Sequence, residues 1–236
     1  MERQSVSICM ATYNGIKYIR NQIDSILPQL KENDELIISD DGSTDGTLEY
    51  IIQLSEKDHR IKVVDGPHKG ANANFFSLIN LAVNDILFFS DQDDIWFLNK
   101  IDKVCKAFEE NKYAKVVLHE DTIYYKNENK EVNCNKLKHG IIRNLIKSSY
   151  SGHRMAFRKE FKAKIMAKTT ACPAYDMYLG LLAEKNKCCY FLHEKLDRHI
   201  MRGNNQTKNY LFLKKYLLDG NFSYVYVILN KVKYAN

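Results

Sequence analysis

Proline is scarce in this 236-residue chain, at three residues, and 45% of its residues are hydrophobic, which together exclude a disordered or low-complexity polypeptide. No apolar run reaches the roughly 18 residues of a membrane-crossing helix, and no N-terminal signal peptide is visible. Six cysteines (Cys9, Cys105, Cys134, Cys172, Cys188, Cys189) show neither metal-ligand spacing nor the density of a disulfide scaffold, so reduced thiols in a cytoplasmic protein are expected. Internal repeats are absent. The formal net charge is +6, yet no basic stripe or nucleic-acid-binding motif accompanies it, and nucleic acid is not an expected partner. Residues 6–20 hold a single glycine, which counts against the glycine-rich, lysine-bearing phosphate loop of a nucleotidyltransferase.

What is present is an acidic knot. Ile86-Leu87-Phe88-Phe89 reads as a short buried strand, and Ser90-Asp91-Gln92-Asp93-Asp94-Ile95-Trp96 follows it. Three carboxylates within four residues repel one another unless a cation sits among them. A divalent ion held by hard oxygen ligands and shared with a phosphate-bearing substrate is one solution, and a solvated turn with a capping aspartate is the other.

Two further strand ends carry polar chemistry. Leu36-Ile37-Ile38-Ser39 ends in Asp40-Asp41-Gly42-Ser43-Thr44-Asp45-Gly46, and Val6-Ser7-Ile8-Cys9-Met10 ends in Ala11-Thr12-Tyr13-Asn14-Gly15. Any of Ser43, Thr44 or Asp45 could cap the helix that follows. Ligands of open α/β sheets bind outside the carboxyl ends of the strands. An aromatic platform, a carboxylate pair and an acidic cluster on that edge point to a nucleoside diphosphate. Tyr13 would stack on the base, an aspartate would accept a base N–H, and the cluster would carry the metal.

Helices are expected over 15–30, 45–56, 71–83 and 97–111, with strands over 35–39, 61–65, 85–90 and 116–119. Alternation of this kind predicts an α/β fold with a Rossmann-like, mainly parallel central sheet flanked by helices. Residues 126–140, dense in Lys, Asn and Glu, read as an exposed linker.

The segments Ala-Thr-Tyr-Asn-Gly (11–15), Ser-Asp-Asp-Gly-Ser-Thr-Asp-Gly-Thr (39–47) and Ser-Asp-Gln-Asp-Asp-Ile-Trp (90–96) resemble the signatures of family-two inverting glycosyltransferases with the GT-A fold. The last form is similar to the bacterial polysaccharide branch, which includes many rhamnosyltransferases. The resemblance covers roughly the first 200 residues and loosens beyond about residue 110.

The resemblance implies Mg²⁺ or Mn²⁺ as cofactor and a nucleotide-sugar donor, either deoxythymidine-diphosphate rhamnose or a uridine-diphosphate sugar. Donor contacts fall on Thr12, Tyr13, Asn14, Asp40, Asp41, Asp91 and Gln92, with Lys69 in the Gly66–Gly70 turn as a phosphate contact or a solvated lysine. Asp93 and Asp94 would hold the metal. Acceptor contacts fall on Trp96, Gly152, His153 and Tyr175, and Asp176 is the general base or simply a helix cap. The segment 193–206, which would end a strand pair, resembles an Arg-x-His-Gly-Asn-Asn loop but has Arg202 where that motif has histidine. Arg202 would then stabilise the leaving phosphate, and His199 is a displaced metal ligand or a packed strand histidine.

Two units are expected: a catalytic domain over 1–206, with a donor half to about 112 and an acceptor half from 113, and a basic, aromatic helical tail over 207–236. The tail suits peripheral contact with an anionic inner membrane face, packing on the domain, or a homodimer. The acceptor is expected to be a glycan or a lipid-linked glycan.

Overall fold

The computed structural model describes residues 3–134, 137–146, 148–165 and 174–201. The expected C-terminal helical appendage, Arg202 and Cys172 lie outside the described residues.

The first half alternates as the sequence predicts: β1 (Val6–Thr12), α1 (Ile19–Ile26), β2 (Glu35–Asp40), α2 (Thr47–Ser55), β3 (Ile61–Asp65), α3 (Ala71–Leu81) and β4 (Ile86–Asp91). Then follow the two-residue β5 (Ile95–Trp96), α4 (Lys100–Glu110), β6 (Val116–Tyr125), β7 (Lys130–Asn133), α5 (Ile141–Ile146), β8 (Met155–Arg158), α6 (Tyr175–Lys185) and the long β9 (Cys189–Met201).

These strands form one sheet in the order β3-β2-β1-β4-β8-β6-β9-β5, with β7 added to β6. Pairing is parallel from β3 through β4 and again between β6 and β9. It is antiparallel at β4–β8, β6–β8, β6–β7 and β5–β9, so the mainly parallel expectation describes the first half and a mixed sheet replaces it beyond β4.

Two side-chain clusters cover the two faces, and the period of two sorts each strand between them. Cys9, Leu87 and Phe89 join Phe75, Leu78, Tyr178 and Leu182 of α3 and α6 on one face. Ile8, Met10, Ile86 and Phe88 join Ile19, Ile23, Ile51, Ile101, Val104 and Phe108 of α1, α2 and α4 on the other. With helices on both faces, β1 and β4 are buried along most of their length, which is why they read as short, mainly apolar runs.

Boundaries shift for local reasons. Residues 15–18 form a turn in which Gly15 O accepts from the amides of Tyr18 and Ile19, so α1 starts late. The expected start of α4 at 97 moves to Lys100 because Ile95 and Trp96 pair with Arg198 and Asp197 of β9. The expected linker 126–140 holds β7, joined to β6 by a tight turn with Asn129 at φ 48°. Among the described residues no helix is long and apolar enough to cross a membrane.

Candidate active site

The carboxyl ends of β1, β2 and β4 lie side by side, because Thr12 is level with Asp40 and Ala11 with Asp91 in the two parallel ladders. Three loops leave that edge together and are stitched by side chains. Asn14, at φ 48°, donates its amide to Ser43 Oγ (2.8 Å) and accepts from the Thr44 amide (2.8 Å). Asp45 accepts from the amides of Ile16 and Thr47, tying the start of α2 to the same loop, although the N-cap position itself is Gly46. Gln92 grips the Tyr13 backbone from the other side: Tyr13 N donates to Oε1 (3.0 Å), and Nε2 donates to Tyr13 O (2.9 Å). Gly15 makes this possible, since a Cβ there would lie 2.1 Å from Gln92 Oε1. The Tyr13 side chain is left 57% exposed at the mouth of the edge.

The Asp40/Asp41 pair divides its work. Asp40 is buried and accepts from Gly42 N, Ser43 N, Ser43 Oγ and Thr12 Oγ1, so it builds the turn. Asp41 Oδ2 accepts from Gly70 N at 2.6 Å, while its buried Oδ1 has no hydrogen-bond partner among the described residues. Lys69 stands exposed beside Gly70.

The acidic knot also divides. Asp91 and Asp93 are half-buried, whereas Asp94 is 1% exposed. Its Oδ1 lies 2.7 Å from His199 Nδ1 and its Oδ2 3.6 Å from His153 Nδ1. Ligand atoms of Asp94, His153 and His199 all lie within 4.8 Å of one another, so these three could share a metal ion. Burial would push the Asp94 carboxyl up, but His153 and His199 outweigh it and hold it below the usual carboxylate range. Burial would likewise lower both histidines. Asp94, Asp197 and Asp121 instead hold His153 well above its ordinary value, and Asp94 raises His199. His153, expected at the acceptor, is therefore built into the acidic cluster, and Asp93, expected beside Asp94, belongs to no such group among the described residues.

Beneath this triad lies a second buried layer that the sequence reading missed. His153 Nε2 is 3.0 Å from Asp121 Oδ2, and Arg154 Nη1 donates to Asp121 Oδ1 (3.2 Å). Lys100 Nζ donates to Asp197 Oδ2 (2.7 Å) and to His153 O (2.7 Å). His119 Nδ1 is 2.8 Å from Glu120 O, and burial, followed by Lys100, holds the imidazole well below its ordinary pKa. Asp121, His153 and Asp197 also have metal-ligand spacing, but Arg154 and Lys100 already balance the two carboxylates. One signal was available. Lys100 shares a helix face with Ile101, Val104, Cys105 and Phe108, where a lysine is out of place.

The expected acceptor residues separate. Trp96 is in the core, tilted against Phe88 with centroids 5.7 Å apart, and so does not face solvent. Tyr175 stacks on Phe75 at 4.3 Å and closes over the His153 turn, where a Cβ on Gly152 would lie 1.7 Å from its hydroxyl. Asp176 is the second residue of α6, buried, accepting from the Met177 amide at 2.7 Å; the helix N-cap is Ala174, so Asp176 is not the cap. His199 stands near the end of β9 against Asp94.

A half-parallel sheet with helices on both faces, whose carboxyl edge carries an aromatic platform, an aspartate pair and an acid–histidine cluster, has the architecture of GT-A glycosyltransferases. Residues 7–165 match the Glycosyl transferase family 2 model, and the chain belongs to that family. Curated relatives include the dTDP-rhamnosyl transferase RfbG of Shigella flexneri, 43% identical over 99 residues, which are 39% of this chain and 34% of that protein. The Escherichia coli UDP-Glc:alpha-D-GlcNAc-diphosphoundecaprenol beta-1,3-glucosyltransferase WfgD is 36% identical over 103 residues, 43% of this chain and 40% of that one. The chain thus spans less than half the length of these relatives. Among solved structures, Staphylococcus aureus TarS 1–349 in complex with UDP-GlcNAc is 18% identical with a TM-score of 0.69, covering 86% of this chain and 60% of that one. The Pyrobaculum calidifontis mannosyltransferase PcManGT in complex with GDP-Man and Mn²⁺ is 16% identical with a TM-score of 0.63, covering 87% and 59%. At such identities the likeness speaks for the fold.

Proposed function

We propose that the protein is a metal-dependent, inverting glycosyltransferase that moves a sugar from a nucleotide-sugar donor to a hydroxyl of a growing bacterial surface glycan. The observation that carries this reading is the pair of orphaned carboxylate oxygens on one sheet edge, Asp41 Oδ1 and Asp94 Oδ2, both buried and both lacking a hydrogen-bond partner among the described residues. Buried acceptors left unpaired are costly, so each is expected to find its partner in a ligand. Asp41 Oδ1 suits the ring N–H of thymine or uracil beneath Tyr13, matching the dTDP and UDP donors for which the relatives RfbG and WfgD are named.

Asp94, His153 and His199 fit a divalent ion, since Asp94 Oδ2 faces His153 and has no hydrogen-bond partner among the described residues. A carboxylate with imidazole nitrogens suits Mn²⁺ better than Mg²⁺, which prefers oxygen throughout. Bound there, the ion would neutralise the diphosphate leaving group. Asp91 would contact the ribose, and Arg202, next in sequence after Met201, is proposed to stabilise the departing phosphate. Asp176 would accept the proton of the acceptor hydroxyl as its oxygen attacks the anomeric carbon. The bond to the diphosphate breaks on the opposite face, and the configuration inverts. A lipid-linked glycan is the proposed acceptor, and peripheral contact with the inner membrane face would bring the enzyme to it.

A thermal-shift panel of nucleotide sugars, with Mn²⁺ and with chelator, tests the donor reading. A thymidine or uridine diphospho-sugar should raise Tm in a metal-dependent way. Absence of stabilisation by any nucleotide sugar would remove the reading, and an unchanged anomeric configuration in the product would remove the inverting mechanism.

A further inference from the structure

Lys100 is the first residue of α4, and its side chain is 1% exposed, as deep in the protein as Ile101, Val104 and Phe108 of the same helix. An ammonium in that position has lost its water, and three groups replace it. Nζ donates to Asp197 Oδ2 on β9 (2.7 Å) and to the carbonyl of His153 (2.7 Å), and it stands 3.9 Å from the centroid of the Trp96 ring. One side chain therefore joins α4, β5, β9 and the turn 152–154. The carbonyl it grips belongs to the residue whose ring lies 3.6 Å from Asp94 and 3.7 Å from Asp91 on one side and 3.0 Å from Asp121 on the other.

Stability alone does not account for such an arrangement. Well-packed apolar residues of similar volume often replace a buried ion pair without loss, because both charges must be desolvated. A lysine supplies what an apolar residue cannot: a donor for the His153 carbonyl and a fixed positive charge behind the acidic cluster. Residues in that position behind metal ligands orient them, and losing such support commonly lowers metal affinity or activity by about 10- to 100-fold.

We propose that Lys100, paired with Asp197, is a positioning residue that sets the place of His153 against Asp94 and so shapes the diphosphate end of the donor site. This rests on the reading of Asp94, His153 and His199 as the metal-holding group.

Lys100→Met alone would strand Asp197 as an unpaired buried charge, so the informative variant is the charge-free double, Lys100→Met with Asp197→Asn. The full chain carrying both changes is compared with the unsubstituted chain for Tm, for Mn²⁺ affinity by loss of the free-ion paramagnetic signal, for uridine diphosphate binding in chelator, and for kcat and KM. The expected result is an unchanged Tm, nucleotide binding in chelator within about two-fold, and Mn²⁺ affinity and kcat lower by about 10- to 100-fold. Wild-type Mn²⁺ affinity and kcat in the folded double variant would overturn the proposal, because the pair would then be packing only. Failure of that variant to fold would also overturn it, by making the pair a stability element. If the unsubstituted chain binds no Mn²⁺, the metal reading fails instead; the same variant is then judged on kcat and donor KM in chelator, where a loss of kcat supports the positioning role and no change removes it.

Discussion

The imidazole rings of His153 and His199 stack with centroids 5.0 Å apart and planes 3° from parallel. One comes from a short turn ahead of β8 and the other from near the end of β9, and the Asp94 carboxylate lies within 3.6 Å of a nitrogen of each. Two histidines raised in pKa by the same buried carboxylate would repel each other face to face were that charge removed. Asp94 is therefore the organising residue of the cluster, although the sequence offers Asp93 as its equal.

That inequality is testable. Asp94→Asn should lower kcat/KM by about 10²-fold and abolish the Mn²⁺-dependent part of donor binding, while Asp93→Asn should lose distinctly less. Titrating donor with and without chelator for both variants checks it, and equal losses would return Asp93 to the centre.

Chemistry and binding should separate at Asp176. Asp176→Asn is expected to keep donor affinity and to lower kcat by about 10²–10⁴, the usual worth of a general base. A parallel fall in donor affinity and turnover would make the residue structural, which its bond to the Met177 amide would then explain.

Gln92→Ala removes both bonds to the Tyr13 backbone and should raise donor KM by roughly 10- to 100-fold, with kcat at saturation little changed. Steady-state kinetics over a range of donor concentrations decides it. An unaltered KM would mean that the stitching by Asn14, Ser43 and Asp45 holds Tyr13 unaided.

Away from the site, Glu35 gives the fold an acid-sensitive joint. Burial would raise its pKa, but Lys62 (2.6 Å), Ser7 and the Val83 amide hold it below the usual glutamate value. A depressed carboxylate stabilises the fold above its unfolded pKa, near 4.3, and that contribution is lost as pH falls through the lower folded value. The Tm gap between the unsubstituted chain and Glu35→Gln should be constant from pH 6 to 8 and shrink below about pH 4. A gap that widens on acidification would reverse the assignment.

Much of the donor half was legible because its signals are local. β1, β2 and β4 are apolar runs bounded by Asn, Asp and Gly, and the parallel ladders align the polar ends of those runs. The second half was less so. β9 runs for 13 residues through His193, Glu194, Lys195, Asp197 and Arg198, a charge-rich stretch with no clean alternation, because a break in register near Glu120 of β6 buries Leu196 and Asp197 together. Linker-like composition likewise concealed β7, an edge strand whose exposed residues need not be apolar. At the site, the motifs fall on the carboxyl edge of the sheet, but they could not tell that Asp40 builds its turn while Asp41 does not, since that depends on the neighbouring amides. Lys100, Asp121, Arg154 and Asp197 meet, directly or through His153, only in tertiary contacts between 32 and 97 residues apart in sequence.

The two hydrogen bonds between Gln92 and the Tyr13 backbone have a further consequence. Tyr13 follows β1 and Gln92 follows β4, two residues before Asp94, so one amide group spans the gap between the base end and the phosphate end of the proposed pocket. Those ends cannot drift apart independently. Within the proposed site the amide would act as a spacer of fixed length between the donor's ring and its charged linkage. In the proposed donor site a nucleoside monophosphate would lack the group that reaches the Asp94 cluster, so the spacing held by Gln92 would favour a diphosphate.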